Sequence, residues 1–313
     1  MRSLALGQSW IDSKLGNVHL IYYECHDKLL AYAKEHGISI IRIDDPIDSR
    51  RVMTLIDAEL NEDDWIILDG YRFNGKYQSE IYRVHENLAV LDDDCYSDYF
   101  KSKVIINPNP DIDVSPYHNI PYPLVGLEYV AIKKEVLKEK KNVRKKQSIN
   151  RLLITLGATG HASYLENIMP VILENHSLFT EINIVTGENW YSSHSMPHNI
   201  EICQYTDEFH RLLSGSDLLL SAAGSTLWEA FYLGVPVIAV ATTDNQKQVL
   251  EALGKTNALV SLGWYKHARL NDLENMLQRT KMDVNYFTKI ASTAQNLIDG
   301  KGGQRIIDSL CKL

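Results

Sequence analysis

The feature that most restricts the fold of this chain is the alternation of short apolar runs with helix-like segments. Glycine or polar residues follow each run, and a helical pattern then begins. Such alternation is typical of a parallel sheet covered by helices. The strand-like runs are Val18–Tyr23, Ser39–Ile43, Trp65–Leu68, Leu88–Leu91, Lys103–Ile106, Leu152–Leu156, Glu181–Thr186, Ile200–Gln204, Asp217–Ser221 and Val235–Ala241.

The length of the chain indicates two domains. It has 313 residues, 45% of them hydrophobic, which is enough for two cores of ordinary size. The lysine-dense segment Lys133–Lys146 is interpreted as an exposed helix and linker, with a basic binding surface as the alternative. We expect an α/β protein of two Rossmann-like domains, residues 1–147 and residues 148–313, and the second domain is expected to end in a helical tail.

Charge and composition exclude several classes of protein. The net charge of −8 disfavours a broad basic surface for nucleic acid. The apolar runs are too short to span a membrane, and the N-terminus does not resemble a signal peptide, so we expect a cytoplasmic protein. The cysteines are far apart and suit a reduced state; they are Cys25, Cys95, Cys203 and Cys311.

The most informative corner is Gly224-Ser225-Thr226, which follows a strand and begins a helix. Backbone N–H groups and the positive end of the helix dipole favour phosphate oxygens at such a corner. Glu229 lies one turn further on, where a carboxylate can accept hydrogen bonds from ribose hydroxyls. The alternative is an ordinary helix start, with Ser225 as N-cap and Glu229 in the first turns.

Two further corners follow strands of the second half. Gly157-Ala158-Thr159-Gly160 has small residues that allow close approach to a ligand, and His161 follows it. Asp244-Asn245-Gln246 carries side chains suited to the hydrogen-bonding edges of a sugar or base. A simple turn and a helix N-cap at Asp244 are the respective alternatives.

In the first half, acidic residues and a tyrosine end two neighbouring strands. Asp69-Gly70-Tyr71 follows one strand and Asp92-Asp93-Asp94 follows another. Carboxylates there can bind sugar hydroxyls, act as acid or base, or bind Mg²⁺, while capping and turn formation are the alternatives. We expect no metal, because adjacent residues of an extended chain point to opposite faces. No HExxH, CxxC, GxSxG or GxGxxG motif occurs.

The segment from Ser214 through Gly224-Ser225-Thr226 to Ile238 resembles the nucleotide-sugar segment of the glycosyltransferase-B superfamily. Within that superfamily the chain is most similar to the PseG-like hydrolases of pseudaminic acid synthesis, which act on UDP-2,4-diacetamido-2,4,6-trideoxy-β-L-altropyranose, and to spore coat polysaccharide biosynthesis proteins. The supporting segments are Ile66–Tyr71, Leu91–Asp94, Val125–Glu135 and Leu156–Thr159.

The resemblance implies two Rossmann-like domains facing a cleft and a hydrolase that releases UDP with water, without metal or cofactor. Gly224, Ser225 and Thr226 would hold the diphosphate, and Glu229 the ribose. Tyr71 and Asn245 correspond to active-site residues of the family. Gly157, Ala158, Thr159 and Gln246 complete the expected substrate-binding set.

One departure from the family concerns the N-terminus. The family begins with a strand and a Gly-x-Gly-His-x-x-Arg turn whose histidine is the expected base. Here the segment from Met1 to Ser9 resembles the helix that follows that turn. We therefore expect an incomplete N-terminal domain, which a late start site explains better than a natural truncation. We also expect the 313-residue chain to bind UDP-sugar poorly and to hydrolyse it little or not at all.

Other activities fit the same UDP site. A glycosyltransferase would release UDP only with an acceptor. A UDP-sugar 2-epimerase that hydrolyses its substrate would differ in the stereochemistry of its product. A non-catalytic nucleotide-sugar binding protein would bind UDP without turnover.

Overall fold

In a computed structural model of the chain, the described residues are 2–45, 50, 52–54, 60–140, 147–157, 162–187, 190, 192–204 and 206–313. They form two compact units. Unit 1 comprises Met1–Lys134 and Gly300–Leu313, and unit 2 comprises Glu135–Asp299. Both units consist of parallel strands with intervening helices, which confirms the predicted α/β class.

Unit 1 contains two separate parallel sheets. In the smaller sheet, β1 (Val18–Tyr22) pairs with β2 (Ile38–Arg42). The larger sheet has four strands in chain order: β3 (Ile66–Asp69), β4 (Leu88–Leu91), β5 (Val104–Asn107) and β6 (Tyr122–Val125). The helices of this part are α1 (Arg2–Asp12), α2 (Asp27–Glu35) and α3 (Gly75–Val84), and α4 (Lys134–Lys138) begins at the end of the unit's first segment.

Unit 2 is built on one parallel sheet of six strands. The strands are β7 (Arg151–Thr155), β8 (Glu181–Thr186), β9 (Ile200–Gln204), β10 (Leu218–Ala222), β11 (Val237–Ala241) and β12 (Val260–Trp264). Their order in the sheet is β12-β11-β10-β7-β8-β9. The helices are α5 (Ala162–Glu174), α6 (Phe209–Gly215), α7 (Ser225–Leu233), α8 (Asp244–Gly254), α9 (Leu270–Met282) and α10 (Val284–Leu297).

The helix α11 (Gly302–Leu310) brings the end of the chain back to unit 1. Its Ile306, Ile307 and Leu310 are buried in one cluster with Leu6 of α1 and Leu91 of β4. Burial of this apolar face explains why the final residues belong to unit 1. The expected domain of residues 148–313, with its helical tail, therefore differs from the observed unit 2.

The lysine-dense segment also differs from its prediction. The helix α4 ends at Lys138, and residues 141–146 lie outside the described set. Val136 of α4 is fully buried, and the Tyr232 hydroxyl donates a hydrogen bond to the carbonyl oxygen of Leu137. Because these contacts are made within unit 2, the boundary lies before residue 147.

The cores follow the strand patterns. Every residue of β4, β5, β10 and β11 is buried, as expected for parallel strands covered on both faces. Gly234 ends α7 with φ 69°, the left-handed conformation that favours glycine at a helix C-terminus. The predicted helix Asp48–Leu60 falls mostly on residues outside the described set.

Candidate functional site

The carboxyl edge of the unit 2 sheet has a topological switch point between β7 and β10. From β7 the chain continues outward through β8 and β9, whereas from β10 it continues the other way through β11 and β12. In open α/β sheets, ligands bind outside the carboxyl ends of strands at such a point. Gly157 and Gly224 follow these two neighbouring strands.

The corner at Gly224 differs from an ordinary capped helix start. Gly224 is the N-cap of α7, and as a glycine it has no side chain that could accept a hydrogen bond from the first turn. Ser225, the alternative N-cap from the sequence, is instead the first helical residue and is exposed. The first N–H groups of a helix have no partner within the helix, so this corner offers donors to an anion.

Glu229 lies on the same helix as the corner. It is only 8% exposed, although the helix around it is mostly apolar. Thr226 lies three residues before it and is partly exposed, which places a hydroxyl one turn nearer the helix N-terminus. Burying a carboxylate costs free energy, and a role in binding ligand hydroxyls is one reason for a carboxylate to occur at this position.

Gln246 of α8 is brought to the Gly224 corner. A Cβ placed on Gly224 would lie 3.6 Å from Gln246 Nε2. The other end of the Gln246 amide is fixed, because its Oε1 accepts hydrogen bonds from the backbone N and Oγ1 of Thr242 at 2.9 and 3.0 Å. The amide N–H₂ group of Gln246 is therefore held beside the N-terminus of α7.

Asn245 precedes Gln246 in the first turn of α8. Its Oδ1 accepts a hydrogen bond from Thr243 Oγ1 at 2.5 Å. Next to it, Asp244 forms an ion pair with Lys247, and the hydrogen bond and charge of Lys247 lower the pKa of Asp244. Lys247 Nζ also lies 3.9 Å from the ring centroid of Trp264.

At the other side of the switch point, Gly157 is exposed and has φ 85°. A Cβ placed on it would meet no atom within 4 Å, so the space beside it is open. Ala158, Thr159, Gly160 and His161 lie outside the described residues. Nearby in the sheet, Thr186 ends β8, and its Oγ1 is buried without a hydrogen-bond partner in the part of the chain that is described.

The carboxyl edge of the larger sheet in unit 1 holds a bridge that the sequence did not predict. Arg2 Nε and Nη2 donate to Asp69 Oδ1 at 2.9 and 2.8 Å, and Nη1 donates to Asp93 Oδ2 at 2.9 Å. Asp69 ends β3, and Asp93 follows β4. These partners are 67 and 91 residues from Arg2, so no local pattern signals the bridge.

Tyr71 lies at the same edge of unit 1. Its side chain is 53% exposed, and its ring packs edge-on against Tyr96 with centroids 5.6 Å apart. Partial burial, together with the negative charge and hydrogen bond of Asp93, raises the pKa of Tyr71. Tyr71 is therefore a neutral hydrogen-bond donor at ordinary pH.

The three adjacent acids have different environments. Asp92 is fully buried and accepts hydrogen bonds from the backbone N–H groups of residues 93, 94 and 95 and from Tyr117 Oη. Asp93 binds Arg2, and Asp94 is exposed. Asp92 therefore organises the turn, which is the capping alternative from the sequence.

No group of three or more His, Cys, Asp or Glu side chains suited to a metal ion occurs among the described residues. Within the same residues, no helix is both long enough and apolar enough to span a bilayer.

Comparison with protein families gives one match that covers more than half of the chain. The model of the glycosyltransferase family 28 C-terminal domain matches residues 131–297. The chain belongs to this family. The match extends over nearly all of unit 2, including the Gly224 corner and α8.

Solved structures resemble this family member over its whole length. MurG from Acinetobacter baumannii aligns with a TM-score of 0.67 and 16% identity, covering 100% of this chain and 95% of MurG. The UDP-GlcNAc 2-epimerase from Neisseria meningitidis, solved with UDP-GlcNAc, aligns with a TM-score of 0.67 and 15% identity, covering 100% and 98%. The fold is therefore the glycosyltransferase-B fold, with two Rossmann-like domains.

A curated relative is the uncharacterized protein MJ1062 from Methanocaldococcus jannaschii. It is 20% identical over 280 residues, which cover 83% of this chain. The matched region spans 56% of the length of that relative.

Proposed function

We propose that this family 28 protein binds a UDP-sugar through unit 2. The diphosphate contacts the N-terminus of α7 at Gly224, Ser225 and Thr226, and the ribose hydroxyls donate to Glu229. The observation that carries the proposal is the corner at the switch point, where the N-cap residue is a glycine without a capping side chain and a buried carboxylate lies one turn away. Gly157 and Gln246 flank this corner, and we propose that Ala158 and Thr159, which lie outside the described residues, also bind the substrate.

The choice of UDP rests on the ligands of similar proteins. The Neisseria meningitidis epimerase was solved with UDP-GlcNAc, and MnaA from S. aureus, which aligns with a TM-score of 0.67 and 12% identity, was solved with UDP. A helix N-terminus is suited to the diphosphate that these ligands share.

We further propose that the reaction is hydrolysis of a UDP-amino-sugar, as in the PseG-like hydrolases. Water forms a bond to the anomeric carbon and releases one proton to the solvent, while the bond from that carbon to the β-phosphate oxygen breaks and UDP leaves with the electron pair. The donors at the α7 N-terminus stabilise the charge on the departing diphosphate. Tyr71 and Asn245 bind the sugar, and the pathway is bacterial nonulosonic acid or surface polysaccharide synthesis.

Titration calorimetry with UDP tests the binding site. Glu229→Ala is expected to weaken UDP binding by about 1–3 kcal/mol, roughly 5- to 150-fold, because a hydrogen bond to a charged group is lost. Glu251→Ala on α8 removes a carboxylate that is 77% exposed and serves as the matched control. Equal UDP affinity of Glu229→Ala and the unchanged protein would refute the proposed ribose site.

The reaction is tested by incubation with UDP-N-acetylhexosamines without any acceptor. A hydrolase releases UDP and a free amino sugar. Acceptor-dependent release of UDP would indicate a glycosyltransferase, and a product inverted at C2 would indicate an epimerase. Binding without turnover, including by a chain extended at its N-terminus, would indicate a non-catalytic binding protein.

A further inference from the structure

The strand β12 contains a β-bulge just before its carboxyl end. Ala239 of β11 pairs with Ser261, and the next pair in the register joins Ala241 to Trp264, so β12 has one residue more than β11 over this stretch. Gly263 lies inside the bulge with φ 75°, the left-handed conformation that favours glycine. Because side chains alternate along a strand, the extra residue places Trp264 on the face of Ser261, which is exposed.

The bulge separates Trp264 from the core residues on either side of it. Leu262 and Tyr265 both pack against the apolar cluster that includes Ile238 of β11. Trp264 is partly buried, and its ring packs edge-on against Tyr265 with centroids 4.8 Å apart. The extra residue therefore directs a large aromatic ring to the face of the strand opposite Leu262, and bulges that re-aim a side chain in this way are frequent next to functional sites.

Two lysines lie beside the aromatic rings at this end of β12. Lys247 Nζ, from the first turns of α8, is 3.9 Å from the centroid of Trp264. Lys266 Nζ is 6.0 Å from the centroid of Trp264 and 5.7 Å from that of Tyr265. An ammonium group within about 6 Å of an aromatic ring is attracted to it. Trp264 therefore holds two cations close together at the surface of unit 2.

The charges around this ring do not balance. Lys247 forms an ion pair with Asp244 at 2.5 Å. Lys266 is exposed and forms no ion pair in the part of the chain that the structure describes. Arg269, further along the same loop, is paired with Asp272. One positive charge beside the ring therefore remains available to an anionic ligand, in a chain whose net charge is −8.

The lysine pair lies next to the Gly224 corner along the carboxyl edge of the sheet. The strands β10, β11 and β12 are consecutive neighbours, and Gly224, Gln246 and Trp264 lie at or just after their respective carboxyl ends. Gln246 Nε2 is held beside Gly224, and Lys247 is the next residue of α8. Since neighbouring strands are about 4.8 Å apart, the two lysines border the position proposed for the diphosphate on the β12 side.

We infer that Lys247 and Lys266, held by Trp264, bind a carboxylate on the sugar of the UDP-sugar. The carboxylate accepts charge-assisted hydrogen bonds from the two ammonium groups while the diphosphate contacts the α7 N-terminus. The substrate class is then an acidic amino sugar linked to UDP. The inference rests on the proposed UDP site, because the nucleotide is what brings the sugar to this edge.

Titration calorimetry with three nucleotide sugars tests the inference. UDP-N-acetylglucosamine is the neutral reference, UDP-N-acetylglucosaminuronic acid adds a carboxylate at C6, and UDP-N-acetylmuramic acid adds one on a 3-O-lactyl group. At low ionic strength, at least one acidic sugar is expected to bind roughly fivefold or more tightly than the neutral sugar. This preference is expected to shrink in about 1 M NaCl, because salt screens exposed charges.

Variants of the lysines and the ring identify the groups responsible. Lys247→Gln and Lys266→Gln are each expected to lower the ratio of acidic to neutral affinity. Trp264→Leu keeps both charges but removes the ring, and is expected to lower the same ratio. Lys255→Gln, at the other end of α8, is the matched control, because Lys255 is 66% exposed and its loss is expected to leave the ratio unchanged.

The outcomes separate this inference from the proposed function. UDP binding with equal affinity for all three nucleotide sugars would overturn the inference alone. A preference for an acidic sugar that persists unchanged in both lysine variants would also overturn it, because the carboxylate would then be bound elsewhere. Absence of binding by UDP itself would overturn the proposed UDP site and the inference with it.

Discussion

At the scale of single residues, Tyr117 and Asp92 form a buried polar pair in unit 1. Their exposed fractions are 2% and 0%, and Tyr117 Oη donates to Asp92 Oδ2 at 2.5 Å. Asn107 Nδ2 donates to the same hydroxyl at 2.8 Å. Tyr117→Phe removes both bonds and the contact of the hydroxyl with Cys95 Sγ, and the buried Asn107 amide loses this acceptor. We therefore expect a loss of about 1–3 kcal/mol in the free energy of unfolding, measured in urea.

A matched variant separates the hydrogen bonds from a general effect of tyrosine removal. Tyr122 is 45% exposed, and Tyr122→Phe is expected to change the free energy of unfolding by less than about 0.5 kcal/mol. If both variants unfolded at the same urea concentration as the unchanged protein, the buried pair would contribute no net stability.

Gly224 provides a second test at this scale. Its φ of −107° suits alanine, and a Cβ would lie at an ordinary distance of 3.6 Å from Gln246 Nε2. Gly224→Ala should therefore fold normally, but its methyl group crowds the position proposed for the diphosphate. We expect a loss of roughly tenfold or more in UDP affinity by calorimetry, about 1.4 kcal/mol. Gly215→Ala, in α6, is the control, and wild-type affinity of Gly224→Ala would argue against phosphate contact at this corner.

At the scale of elements, the attachment of α11 to unit 1 depends on small residues. A Cβ on Gly302 would lie 2.1 Å from the Val130 carbonyl oxygen, a distance that requires the backbone to move. Gly302→Ala is therefore expected to lower the free energy of unfolding by about 1–3 kcal/mol through overpacking. In Gly215→Ala the nearest atom is Arg151 Nη1 at 3.8 Å, so little change is expected. Equal thermal unfolding midpoints for these two variants would show that α11 can shift without a loss of stability.

Elements with local signals were predictable from the sequence, and elements that depend on distant pairing were not. Gly234 marked the end of α7 because its left-handed conformation is a local requirement. The strand β6 was missed because the segment Pro108–Pro123 has no clear period, and its pairing with β5 is what makes it a strand. The Gly224 corner was predictable because the apolar strand before it and the helix after it are local sequence patterns. The role of Arg2 was not predictable, because both carboxylates that bind it are remote in sequence.

At the scale of the whole molecule, the two units contain different sheets. Unit 2, which holds the proposed UDP site, has one sheet of six parallel strands, whereas the described strands of unit 1 form two sheets.

Alkaline pH tests the tyrosine environments of both units together. Burial raises the pKa of Tyr164 to about 12, and burial with the bond to Asp92 raises that of Tyr117. An unfolded chain ionises its tyrosines near pH 10 and so releases protons that the folded chain retains. The contribution of these tyrosines to the free energy of unfolding is therefore constant below about pH 10. This contribution falls as pH rises further, by about 2 kcal/mol for Tyr164 over roughly two pH units. Tyr164→Phe should make this fall less steep in urea titrations, and an unchanged slope would mean that Tyr164 ionises equally in both states.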